Sequence, residues 1–331
     1  MPQLSEKENY FRMLRGEMPE YVPTWVFGMP MGPEGLGTLV GGFEGVQKDM
    51  FGVPYVTERL ANCGALPVPG EFILEDISKW RDVIKRPAIL DEIDWQLCAD
   101  RDLPNWDPET LKSTMVGVGN GYFMLLTSFM GFDNGLVACM EEPEEVKDLL
   151  NFILELNLEI SKKYIHYYHP ETFMFADDIA HERAPFVSDE VFLDIFAPMW
   201  RANAEPFQED GCFIEHHNCG MFSPFVKYIV EMGWHAWNPA EAMNDLVAVK
   251  KAFPGKMAIV GGFDARGFVC YPETTEEQIR AEVKRTLDML APGGGYAFGG
   301  FLMSAPDDEE FQKRNGWIQD EFQKLRYDYY E

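Results

Sequence analysis

Between Thr172 and Tyr327 short apolar runs alternate with longer amphipathic stretches, and few folds accommodate that rhythm. The runs Thr172–Ala176, Cys212–His216, Trp234–Trp237, Met257–Val260 and Tyr296–Phe298 have the length and composition of buried strands. The stretches near Ser188–Phe207, Ser223–Met232, Asn244–Phe253, Thr275–Leu290 and Asp307–Tyr327 carry apolar residues at helical spacing. Start signals support several of them, with Ser223-Pro224 as cap and first residue and Thr275 to Gln278 as a capping box. Strands joined through helices lie parallel, so the pattern predicts an α/β fold with a parallel sheet. Earlier strands at Tyr21–Phe27 and Thr114–Val118 bring the count near eight, which favours a closed (β/α)8 TIM barrel over an open sheet. No dinucleotide fingerprint supports the open alternative, because Gly293-Gly294-Gly295 precedes a strand rather than following one.

The first half is less regular. Ser5 to Glu8 reads as a capping box opening a helix to about Arg15, stopped by Gly16, that closes one end of the fold. The loop from Gly28 to Gly42 is a candidate pocket wall, with Met29 and Met31 as apolar substrate contacts or simply as adaptable packing. Residues 46–107 read as an excursion from the barrel: a helix to Met50, strands at Val53–Thr57 and Glu71–Leu74, and helices at Asp76–Ile84 and Ile89–Ala99. Pro143–His169 is the longest helical pattern. The whole of 1–331 is expected to form a single domain, with 1–20 as its N-terminal helix.

Charge excludes some functions. The 55 acidic residues against 28 basic ones give a formal net charge of −27, which repels nucleic acid and anionic membrane surfaces. Six cysteines fall without a disulfide-framework spacing, the first residues carry no signal pattern, and no apolar run reaches the length of a membrane span. The expectation is a soluble cytoplasmic protein.

Candidate chemistry gathers at the strand ends, because the C-terminal mouth of a barrel hosts its active site. In Cys212 to Gly220 the alternation of an extended chain puts Glu215, His217 and Cys219 on one face. An imidazole and a thiolate two residues apart suit a borderline-soft cation such as zinc. The same pair also fits a packing cysteine beside a hydrogen-bonded histidine. Asp177 and Asp178 follow another strand, where a carboxylate could hold a metal, accept a proton or bind a substrate hydroxyl. Of these, Asp178 is expected to act in catalysis or substrate orientation. Asn238 and Glu241 follow the next strand.

These residues carry a resemblance that spans nearly the whole chain. Arg15-Gly16-Glu17 leading into Val22-Pro23, Phe51-Gly52-Val53, Phe175-Ala176-Asp177-Asp178, His217-Asn218-Cys219-Gly220, Asn238-Pro239 with Asp245 and Lys250, and Gly293-Gly294-Gly295-Tyr296 resemble the uroporphyrinogen decarboxylase superfamily. Within it they are most similar to the zinc-dependent, corrinoid-linked methyltransferases. The resemblance implies a TIM barrel, a zinc ion held by His217 and Cys219, and a corrinoid carried by a separate protein. It also implies a small methyl donor, such as an aromatic methyl ether, with Asp177 and Asp178 as catalytic candidates and Met29, Met31 and Asn238 as substrate contacts. The branch's usual third ligand, a cysteine after the last strand, is missing from Phe298-Gly299-Gly300-Phe301. Glu241 is the first candidate to replace it and Glu215 the second. Porphyrinogen decarboxylation is an alternative, disfavoured because Phe27 to Gly32 carries no arginine to grip carboxylates. A further alternative is a non-catalytic binding barrel with a degenerate metal site.

Overall fold

The computed structural model describes residues 3–25, 32–33, 36, 42–58, 64–104, 106–114, 121–303, 305 and 307–330. Among them, β1 (Val46–Lys48), β2 (Pro54–Glu58) and β3 (Gly64–Pro67) form a small antiparallel sheet. A second, parallel sheet contains β4 (Ser113–Thr114), β5 (Thr172–Ala176), β6 (Phe213–His217), β7 (Ala236–Ala240), β8 (Ala258–Gly261) and β9 (Tyr296–Phe298), each paired with the next in chain order. Helices between successive strands enforce that order, since each crossover returns the chain to the same end of the sheet. The chain's start then joins the last strand: Thr24 pairs in parallel with Phe298, and Trp25 N–H donates to Phe298 O at 3.0 Å. Seven wall segments of a TIM barrel are therefore traced among the described residues. Val26 and Phe27 of the expected first strand, and Met115 to Val118 of the second, lie outside them.

Small side chains make room inside the barrel. Ala236, Ala258, Val260 and Ala297 are buried against Tyr10, Met13 and Leu14 of the first helix, Glu6–Leu14, which plugs the N-terminal end of the barrel. The opposite strand faces meet the helical layer, where Phe175 and His216 pack on Trp200 of the helix Ala197–Glu209. That helix continues from Asp189 through one wider turn at Phe192–Phe196, as one helical stretch matching the predicted Ser188–Phe207.

Several local expectations are corrected. The stretch from Val46 is a strand rather than a helix, and Glu71–Leu74 is irregular. Ser5 Oγ does accept the Glu8 N–H at 3.3 Å, but the Glu8 carboxylate turns to Arg15 at the far end of the helix, so the box is only half made. At Thr275 both halves form. The helix Tyr122–Met130 escapes a periodicity reading because it is apolar on nearly every face, and the short helix Phe132–Glu141, which buries only Gly135, Ala138 and Cys139, meets it at a sharp bend. Among the described residues no single helix is long and apolar enough to cross a membrane.

Candidate metal centre

Register decides which side chains meet. Ala176, His217 and Asn238 are direct partners across β5, β6 and β7, and one rung below stand Met174, Glu215 and Ala236. Because faces alternate along each strand, Glu215, His217 and Cys219 rise on the inner face of the wall, together with Ala176 and Asp178 from β5. His216, Asn218, Phe175 and Asp177 belong to the outer face. The two neighbouring aspartates thus point to different layers.

On the inner side, Asp178, His217 and Cys219 offer ligand atoms that all lie within 4.8 Å of one another. All three are half-buried. Asp178 Oδ1 accepts the Cys219 N–H at 2.8 Å, which ties the loop after β5 to the loop after β6. Burial first, and then the Asp178 and Glu241 carboxylates, push the Cys219 thiol well above its ordinary value, with Arg266 opposing. Such surroundings disfavour a bare thiolate and favour a cation that would draw the proton off.

Beneath this cluster runs a buried hydrogen-bonded chain. His217 Nδ1 stands 3.0 Å from Asn238 Oδ1, and Asn238 Nδ2 donates to Glu215 Oε2 at 3.3 Å. Since the amide nitrogen is committed to Glu215, its oxygen accepts, so His217 carries its proton on Nδ1 and leaves Nε2 free to ligate. The Tyr10 hydroxyl, from the plugging helix, donates to the same Glu215 oxygen at 2.8 Å. Burial pushes the Glu215 carboxyl up to about 7, against those two donors, which hold it down. Nothing in the sequence marks Tyr10 for this role, since its spacing reads only as the apolar face of a helix. Asn238 is fully buried and both ends of its amide are engaged, so the expectation of a direct substrate contact is replaced by one of orienting His217. Glu215 likewise lies below the cluster, where it supports rather than ligates.

Asp177 is fully buried among donors. Its carboxylate accepts from the Phe123 N–H at 3.1 Å, the Met124 N–H at 3.1 Å and Trp200 Nε1 at 2.9 Å. It therefore caps the helix Tyr122–Met130 from outside that helix. Burial pushes the carboxyl up to about 7 while the three donors lower it. The close approach needs Gly121, where a Cβ would stand 2.3 Å from the Asp177 Cγ and 2.5 Å from the Ala176 carbonyl oxygen. A catalytic role for Asp177 is corrected to a structural one, because both oxygens are occupied away from the mouth.

Glu241 also departs from expectation. One oxygen accepts the Gly220 N–H and the other pairs with Arg266 at 2.8 Å, so the carboxylate braces the His217–Gly220 loop outside the ligand cluster. Asp178 occupies the place in the cluster foreseen for Glu241. Gly220 adopts φ +80°, and a Cβ there would come 2.7 Å from the His181 carbonyl oxygen, so the loop after β5 can close directly over it. Met29 and Met31 lie outside the described residues. His235 and Asp245 take backbone roles: His235 Nδ1 accepts the Ile214 N–H at 3.0 Å, and Asp245 caps the helix Leu246–Ala252 through Ala248.

One nitrogen, one sulfur and one oxygen donor fit zinc. Atoms bonded to a single tetrahedral zinc stand roughly 3.3–3.8 Å apart, so ligand atoms that already lie within 4.8 Å of one another need only small side-chain rotations to close on one ion. Three protein ligands also leave a fourth position for a reacting group, as in catalytic sites.

The family model of uroporphyrinogen decarboxylase (URO-D) matches residues 109–300. The comparison with curated proteins gives no match. Among solved structures, a methyltransferase from Methanosarcina mazei is similar with a TM-score of 0.67, covering 97% of this chain and 100% of that one at 14% identity. That likeness is one of fold. The family match runs over more than half of the sequence and includes β5 and β6 with the ligand cluster at their ends, and on it the chain belongs to the uroporphyrinogen decarboxylase family.

Proposed function

We propose that this chain is a methyltransferase that moves a methyl group between a small donor and a corrinoid carried by a separate protein, assisted by zinc held by Asp178, His217 and Cys219. The observation that carries the reading is the mixed nitrogen, sulfur and oxygen cluster at the barrel mouth. Bound zinc supplies Lewis acidity, lowering the pKa of a thiol acceptor or polarising an ether oxygen in the donor. The protein's own groups set up that chemistry. Asn238 fixes the His217 tautomer, Glu215 holds Asn238 and is itself held by Tyr10, and Asp178 offsets cationic charge while bonding the Cys219 amide.

Decarboxylation of a polycarboxylate finds less support in the same region. Arg183 and Arg266, which follow β5 and β8, are already paired with Glu182 at 3.2 Å and Glu241 at 2.8 Å. Neither is free to grip a substrate carboxylate without giving up its partner.

Two measurements test the proposal. Metal analysis of the purified protein is expected to give close to one zinc per chain, lost in His217→Ala and Cys219→Ala. Methyl transfer from methylcobalamin to a small thiol, or from a methyl ether to a Co(I) corrinoid, should depend on that metal. A metal-free protein that decarboxylates a porphyrinogen after complete chelation would overturn the reading.

A further inference from the structure

A cavity of about 490 Å³ opens at the end of the barrel opposite the metal centre. His235, Met257 and Gly293 to Gly295 line it, and these residues immediately precede β7, β8 and β9. Strands of three to five residues separate it from the ligand cluster, a distance of about 10–17 Å. Its chemistry differs from the mouth. Met13, Leu14, Phe253 and Met289 give it apolar walls, and Lys250, Lys251 and Lys256 also line it.

Among the described residues none of these lysines has a carboxylate partner. Glu17, the one acidic residue among the described residues of the lining, is held by Arg15 at 3.1 Å. Lys250 Nζ donates to Leu290 O and, at 3.2 Å, to Pro292 O, which offsets the carbonyl end of the helix Glu276–Leu290 and leaves one of three ammonium donors. Burial lowers Lys250 to about 8, so most of it remains charged at neutral pH. His235 spends Nδ1 on the Ile214 N–H, so its Nε2–H is a further donor beside the cavity. At the glycines, φ values of +84°, +71° and +62° leave backbone without side chains along one wall. In a chain of net charge −27, three lysines without acidic partners around an apolar hollow form a local reversal of sign.

We propose that this cavity binds a small amphipathic carboxylate, with its head among Lys250, Lys251 and Lys256 and its apolar body against Met13, Leu14 and Phe253. The site stands apart from the methyl-transfer reading and does not depend on it. A donor-rich rim takes the carboxylate, and the walls take an aliphatic or aromatic body of the size that a cavity of this volume encloses.

The test is calorimetric titration of the full chain with octanoate, and separately with 1-octanol. Octanoate is expected to bind at least tenfold more tightly than octanol. The double variant Lys251→Glu/Lys256→Glu, which alters two exposed side chains, should weaken octanoate binding at least tenfold, and Met289→Glu, on an exposed wall position, should do the same. Cys219→Ala at the metal centre should leave it unchanged. Equal binding of octanol, insensitivity to the lysine and Met289 changes, loss of binding in Cys219→Ala, or no binding at all would each overturn the proposal.

Discussion

His217 and Asn238 are partners in adjacent strands, and the 3.0 Å contact from His217 Nδ1 to Asn238 Oδ1 leaves Nε2 as the nitrogen available to a metal. Orientation of the ligand thus rests on a buried residue whose amide is engaged at both ends. The same amide reaches down to Glu215, so one buried chain links the plugging helix to the mouth.

Removing the amide should weaken the site before it weakens the fold. Asn238→Ala is expected to lower zinc affinity about 10–100-fold and to cost about 1–3 kcal/mol through the partners left unpaired. Chelator competition and thermal melting read the two effects. Unchanged zinc affinity would show that His217 needs no such support.

The adjacent aspartates should separate cleanly. Asp178→Ala is expected to lose most of the bound metal at little cost in melting temperature, since Asp178 is half-buried and tied mainly to the Cys219 amide. Asp177→Ala should instead lower stability by about 1–3 kcal/mol, because it strands three buried donors, and should keep the metal at temperatures where it stays folded. The reverse pattern would mean that the two layers have been assigned the wrong way round.

Stability should fall as pH rises from about 4.5 towards about 7. Glu215, raised from an ordinary 4.5 to about 7 by burial, keeps its proton in the folded state after the unfolded chain has lost it. Folding then opposes ionisation, and the cost grows through that window and levels off above it. Asp177 acts in the same direction, from an ordinary 3.8 to about 7. Glu215→Gln keeps an acceptor for Tyr10 and Asn238 without titrating, so its melting temperature relative to the wild type should climb between pH 5 and pH 8. A difference independent of pH would place the Glu215 proton elsewhere.

Gly121→Ala probes the helix seat. The added methyl would meet the Ala176 carbonyl oxygen at 2.5 Å as well as the Asp177 side chain, and backbone cannot swing aside as a flexible side chain can. The expected cost is about 1–3 kcal/mol of stability, read by denaturant unfolding, with the helix Tyr122–Met130 displaced. A neutral substitution would show that the helix docks more loosely than its hydrogen bonds to Asp177 imply.

The sequence by itself determined the architecture of the second half. Apolar runs such as Tyr296–Phe298 and capped helices such as the one after Thr275 are local patterns, and each segment carries its own periodicity wherever it packs. It also determined that Glu215, His217 and Cys219 share a face, because alternation along one strand is a property of the extended backbone. Tertiary structure alone decided what that face meets. Which rung of β5 stands beside His217 depends on pairing register, and a shift of one residue would have brought Asp177 inward in place of Asp178. Tyr10 reaches Glu215 across 205 residues of sequence, and Glu241 is drawn from the cluster by Arg266 on another strand's loop. Contacts of that kind join residues with no local signal in common, so their partners exist only once the barrel has closed around them.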